Sequence, residues 1–308
     1  MLLVIGCGDI GLRVARLLRP RWRVLALTSS AERIGVLRAA WITPLRGDLD
    51  DPASLARLAG LADAVLHLAP PPSVGASDPR TRHLLQALAR SGRLHRLVYA
   101  STSGVYGDRG GAWIDETAAL RPMTDRARRR ADAEQRLRHF GRATGVAVTL
   151  LRIPGIYALD RPGGDPRERV ARATPVLAAA DDVRTSHIHA DDLARACVAA
   201  LHRGGRQRAV NVVDDSDLRM GDYFDLVADR FAMARPPRLA REAAAAVLSP
   251  MQMSFLGESR RLANRRMKTE LRLALRYPTV AAGLVAAPGA RAARVTIDAE
   301  RPPKETPP

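Results

Sequence analysis

Lysine, aromatic residues and cysteine are scarce in this chain, and a long apolar run is missing altogether. Two lysines, Lys268 and Lys304, stand among 308 residues, and Phe, Trp and Tyr together make up 4%. The net charge is nevertheless +17, from 49 basic and 32 acidic residues, with arginines spread from Arg13 to Arg301. Basic residues scattered in this way, without aromatics between them or a helix-turn-helix signal, predict no specific nucleic-acid partner and only weak non-specific adhesion. The two cysteines, Cys7 and Cys197, lack metal-ligand spacing and read as small buried residues outside any disulfide. No stretch reaches the roughly 18 apolar residues of a membrane span, so no membrane association is expected. Met1 leads straight into an apolar segment, and cleavage of a leader would remove half of the motif that follows; the expected location is cytoplasmic.

What is present begins at the front. Leu2-Leu3-Val4-Ile5 reads as a buried strand, and Gly6, Gly8 and Gly11 follow with G-x-G-x-x-G spacing around Cys7, Asp9 and Ile10. Leu12, Ala15 and Leu18 then open a helical pattern. Gly6 permits the tight turn, Gly8 lets the backbone approach a pyrophosphate, and Gly11 lets the helix lie close on the strand. The unpaired N–H groups and partial positive charge of the helix start suit that anion.

A second strand over 22–27 ends at Thr28-Ser29-Ser30, with Arg33 in the next helix. A carboxylate at this tip would hold the ribose 2′-hydroxyl of NAD; hydroxyls and an arginine suit a 2′-phosphate better, so NADP is preferred over NAD. Ser29 and Ser30 serve equally as a helix N-cap. Asp48, after a third strand at 42–46, is placed to accept from the adenine amine or to cap the helix from Pro52. Further strands are expected over 64–69, 94–100, 146–152 and 210–213, alternating with helices over 81–88, 122–142 and 193–202. This alternation predicts an α/β, Rossmann-type doubly wound parallel sheet with ligands at the strands' C-terminal edge. The fifth strand delivers Ser101 to Gly107 to that edge. His67 reads as a core histidine.

With these pieces in order, the chain resembles an extended short-chain dehydrogenase/reductase of the epimerase/dehydratase type. Also carrying the resemblance are Gly47-Asp48-Leu49, His67-Leu68-Ala69, Leu151 to Tyr157, His187 to Asp192, and Asn264-Arg265-Arg266 leading to Arg276-Tyr277-Pro278. The resemblance implies a nicotinamide coenzyme and a small polar substrate, and it adds Asp9, Ile10, Leu49, Leu68, Ala69 and Pro154 to the coenzyme-binding set. It implies that Thr102, with Ser103 as neighbour, holds the reacting oxygen. It also implies a Tyr-x-x-x-Lys pair, yet none of Tyr99, Tyr106, Tyr157, Tyr223 and Tyr277 has a lysine four residues on. Counting back from Glu134 puts Arg126 in the tyrosine's place and Arg130 in the lysine's. Helical spacing sets both on one face with Ala133 and Leu137, pointing towards the cleft. Arg130 can still hold the nicotinamide ribose, whereas Arg126 is no acid or base. The alternative for both is a solvated basic face beside Arg128 and Arg129. Tyr106 is the candidate substitute acid, with Arg126 as a cation to lower its pKa; its other reading is a packing residue.

The expected domains are a coenzyme domain at 1–155 and 183–214, a mostly helical C-terminal substrate lobe at 156–182 and 215–287, and a disordered tail at 288–308. Leu159 to Asp165 reads as a mobile lid. His187-x-His189-x-Asp191 braces a strand–helix corner rather than a metal, with Asp191 and Asp192 capping the helix. The function expected is an NAD(P)-dependent oxidoreductase or epimerase-like enzyme; a redox-sensing NAD(P)-binding module that turns nothing over is the alternative. A homodimer stays open as an assembly.

Overall fold

The computed structural model describes residues 1–285; the tail from 288, and the last two residues assigned to the substrate lobe, lie outside the described residues. Strand β1 (Leu2–Ile5) shows why an unbroken apolar run becomes the interior of a parallel sheet. Leu2 and Val4 face one layer with Val14 and Leu18, and Leu3 and Ile5 face the other with Leu84 and Leu137. Around it lie β2 (Val24–Thr28), β3 (Thr43–Arg46), β4 (Ala64–His67), β5 (Arg96–Thr102), β7 (Ala147–Ile153) and the strand Arg208–Asn211; a short strand, β6 (Trp113–Ile114), precedes β7. The seven-stranded order is Arg208–Asn211, β7, β5, β4, β1, β2, β3, all neighbours parallel. The chain leaves β1 in one direction to β2 and β3, then returns to its other side at β4. The reversal opens a crevice between β1 and β4 at their C-terminal ends, where such sheets bind ligands.

Helices α1 (Asp9–Leu18) and Ala190–Arg203 cover one face; α3 (Pro79–Leu88) and α4 (Asp125–Thr144) cover the other, and α2 (Arg33–Ala39) joins β2 to β3. Beyond β8 (Gly155–Tyr157), which pairs with His187–His189, a separate apolar cluster forms around Tyr157, Val176, Tyr223 and Val227.

Several local expectations are corrected. The segment from Pro52 is a 3₁₀ helix to Leu58, capped by Asp51 rather than Asp48. His189, not Asp191 or Asp192, caps the helix Ala190–Arg203: its Nδ1 accepts from the Asp191 N–H at 3.2 Å. Buried Asp192 accepts instead from the backbone N–H groups of Arg276 (2.9 Å) and Tyr277 (2.7 Å). The stretch read as a mobile lid is fastened to α1, with Asp160 on Arg13 at 2.7 Å and Arg161 on Asp9 at 3.2 Å. Residues 215–285 hold the helices Met220–Arg230, Arg241–Val247, Pro250–Leu256, Arg265–Thr269 and Val280–Gly283, with three two-residue strands, Leu218–Arg219, Arg238–Leu239 and Arg261–Leu262, among them. Pro250 opens one of the helices, at the first helical position that proline tolerates.

Candidate functional site

The glycine loop shapes a cavity of about 440 Å³ at the crevice. Gly6 has φ +80°, and a Cβ there would fall 2.5 Å from the Ala69 backbone, so the turn admits only glycine. A Cβ on Gly11 would come 2.9 Å from Cys7 Sγ and 3.4 Å from Val4, so α1 lies against β1. Gly8 differs: a Cβ there would meet nothing within 4 Å. Its Cα looks into open space at the helix start, which is the cradle a diphosphate requires. Cys7 remains a thiol, pushed up to about 11 by burial against the lowering influence of Arg33.

The rest of the wall comes from three strand ends. Thr28, Ser29 and Ser30 follow β2, with the Thr28 hydroxyl donating to the Ser30 carbonyl at 3.3 Å. Asp48 and Leu49 follow β3, and Leu68 and Ala69 follow β4. Asp48 Oδ1 accepts from the Asp50 N–H at 2.9 Å. Arg33 lines the wall while donating to the Cys7 carbonyl, which ties α2 to the glycine loop. Arg80, which the sequence reading passed over, also lines it and pairs with Asp50. Asp9, Ile10 and Gly11 lie outside the lining. The Asp9 carboxylate is engaged by Arg13 (3.0 Å) and Arg161 (3.2 Å) because both arginines pack around the start of α1.

A second cavity of about 750 Å³ adjoins the first at Pro70. Thr102 and Pro154 both line it; Thr102 Oγ1 accepts from the Gly104 N–H at 3.2 Å. From α4 come Arg126, Arg129 and Arg130. Arg130 Nη1 donates to the Ala100 carbonyl (2.9 Å), the Tyr99 hydroxyl (3.0 Å) and the Ala69 carbonyl (3.4 Å), which fixes it where the two cavities meet. Arg129 is buried and donates to the Gly75 carbonyl, so it is no part of a solvated face. Buried Ala133 and Leu137 continue the inward face. An apolar part of the lining comes from Pro250, Met251 and Phe255, and Glu258, also in the lining, pairs with Arg260 at 2.7 Å. Nothing in the pattern around 250–260 marked this part of the lining in advance.

Tyr106 is corrected. It is fully buried, its hydroxyl donates to Asn211 Oδ1 at 2.7 Å and accepts from Arg152 Nη1 at 2.9 Å, and it lines neither cavity. Burial raises its pKa above the usual phenol value, and the nearby cation is Arg152, not Arg126. His187 does line the cleft, stacked on Tyr223 at 3.9 Å and held neutral by burial, with its pKa lowered to about 3. His67 is a core residue bonded to Thr81 at 3.0 Å. Among the described residues no group of three His, Cys, Asp or Glu side chains could hold a metal ion, and no helix is long and apolar enough to cross a membrane.

Comparison with known proteins fits this geometry. The chain is 29% identical over 182 residues to a putative UDP-arabinose 4-epimerase of Arabidopsis thaliana, covering 52% of this chain and 41% of that protein. It is 29% identical over 116 residues to an uncharacterised UDP-glucose epimerase of Bacillus subtilis, covering 34% and 36%. The chain thus spans less than half the length of these curated relatives. Among solved structures, a conserved protein of unknown function from Silicibacter pomeroyi is 29% identical with TM-score 0.77, covering 92% of this chain and 96% of that one. The fold is shared at 20% identity and TM-score 0.75 by UDP-glucose 4-epimerase of Thermotoga maritima, solved with UDP-glucose, over 92% and 96% of the two chains. It is shared at 17% and 0.72 by UDP-glucuronic acid 4-epimerase of Bacillus cereus, solved with NAD, over 92% and 95%. The model of one family matches residues 2–212: this chain belongs to the NAD dependent epimerase/dehydratase family.

Proposed function

We propose that the chain is an NAD(P)-dependent oxidoreductase or epimerase/dehydratase-like enzyme acting on a small polar substrate of sugar or carbonyl type, in the cytoplasm. The observation that carries this reading is the adjacency of the two cavities at Pro70, with an open Gly8 cradle in one and Arg130 and Thr102 lining the other. Gly6, Gly8 and the start of α1 receive the pyrophosphate, Thr28 and Arg33 the adenosine ribose, and Asp48 the adenine. Arg130 holds the nicotinamide ribose, and the Thr102 hydroxyl holds the reacting oxygen. When bound, the coenzyme supplies the hydride donor or acceptor. NADP is the preferred form: the tip of β2 offers hydroxyls in place of a carboxylate, and Arg33 and Arg80 are cations suited to a 2′-phosphate.

One observation favours a second reading, a coenzyme-binding redox sensor: among the described residues no tyrosine or lysine lines the cleft. Fluorescence titration tests the first claim. NADPH should bind saturably and more tightly than NADH, and Gly8→Trp should abolish binding by filling the cradle; unaltered binding by that variant would remove the assignment. A panel of UDP-sugars and carbonyl compounds then separates the readings, since coenzyme binding with no turnover of any compound supports the sensor.

A further inference from the structure

Five arginines line the larger cavity, Arg126, Arg129, Arg130, Arg184 and Arg260, against a single carboxylate, Glu258. Four of them are engaged by the protein. Arg129 and Arg130 bond backbone carbonyls, Arg184 pairs with Asp217 at 3.1 Å, and Arg260 pairs with Glu258 at 2.7 Å. Arg126 has neither a hydrogen bond nor an ion pair among the described residues. Its guanidinium lies over the Phe255 ring, 4.3 Å from the centroid, a contact that uses the cation's face and leaves its N–H donors unspent.

Its position matters as much as its lack of a partner. A Cβ built on Gly104 would meet Thr102 at 3.6 Å and Ala127 at 3.7 Å, so the loop that presents Thr102 lies directly against the first turn of α4. Arg126, next to Ala127 on that turn, and Thr102 both line the same cavity. Arg126 is an exposed residue, and partial desolvation together with Arg130, Arg129 and Arg260 disfavours its charge, with Glu258 opposing. An anion arriving there would relieve that crowding and accept charge-assisted hydrogen bonds.

We infer that Arg126 is the anchor for an acidic group, carboxylate or phosphate, borne by the substrate beside its reacting carbon, with the substrate's apolar part against Pro250, Met251 and Phe255. This rests on the larger cavity being the substrate site. It gives the position a binding duty that a guanidinium can perform, in place of proton transfer, which it cannot.

The test is calorimetric titration of the full chain at about 20 mM salt, where a partly exposed charge is little screened. Phenyl phosphate and phenylacetate are the probes, and benzyl alcohol is the neutral control. At least one anion should saturate where benzyl alcohol does not, and which one does identifies the acid group. Arg126→Met, similar in length but uncharged, should weaken that binding about tenfold or more, and Arg126→Lys should keep part of it. Anion binding should persist in Gly8→Trp, so a failure of the coenzyme assignment would leave this result standing. Equal affinity in the parent and Arg126→Met, equal binding of benzyl alcohol, or no binding of either anion would overturn the inference.

Discussion

With its hydroxyl between Asn211 Oδ1 and the Arg152 guanidinium, Tyr106 fastens the loop after β5 to two neighbouring strands. Arg152 is itself held by Glu134 at 2.8 Å, both side chains almost wholly buried. Tyr106→Phe should therefore cost about 1–3 kcal/mol, because it leaves a buried acceptor and a buried donor without their partner. Urea denaturation measures this, and NADPH affinity should not move; a matching loss of coenzyme binding would show that the phenol faces the ligand after all. The chain positions involved lie 46 and 105 residues apart, which is why the sequence could nominate Tyr106 but not see it tied down. Thr102 and Arg130 were legible through the resemblance, which supplied the place after the fifth strand and the count back from Glu134, with helix spacing then setting Arg130 on the inward face. Asp214 is a second case that only the folded chain reveals. Burial pushes its carboxyl up to about 7, against the hydrogen bonds from Ser216 and with help from Asp215 and Asp192. The folded state thus holds a proton that the unfolded chain, with a carboxyl near 3.9, releases first. Its contribution is fully present below about pH 4 and lost as pH rises to 7. Asp214→Asn should raise stability at pH 8 by roughly 2–4 kcal/mol, an advantage that shrinks as pH falls towards 5. Urea melts across that range would refute this by showing a constant difference.

Elements bounded by clear apolar runs or turn signals were legible: β1, β5 and α4 fall within a few residues of their expected limits. After residue 215 the helical character was legible but the individual limits were not, since four of the five helices there span seven residues or fewer, too brief to carry a periodic signal. The segment at 159–165 carries loop composition, Gly and Pro among charged residues, and composition is silent about ion pairs. Arg13, 8% exposed, gathers Asp9, Asp160 and Asp191 and so clips that segment to the helix behind the glycine loop. Asp160 is 69% exposed, so Asp160→Asn should cost less than about 1 kcal/mol in global stability. Amide exchange across 159–165 should nevertheless quicken while that in α1 stays slow. Unchanged exchange would mean that the clip holds nothing.

For the whole molecule, a net charge of +17 sets behaviour towards polyanions more than towards the fold. Several arginines are already spent inward on carbonyls or carboxylates, as Arg96 is on Gly204 and Arg152 on Glu134. Fluorescence anisotropy should show a labelled DNA duplex binding at about 50 mM salt and released by about 200 mM, with no preference among sequences. Retention at the higher salt would point to a built nucleic-acid surface.

The sheet order has a consequence for synthesis. The four apolar residues at the front form an interior strand, yet their two flanking strands begin only at Val24 and Ala64, and the far edge arrives at Arg208. During translation this apolar strand therefore emerges before either of its neighbours and waits for both, bare backbone on either side. Prematurely terminated chains ending before residue 64 keep one flank of that ribbon uncovered, and they are the species that chaperones must hold or proteases clear.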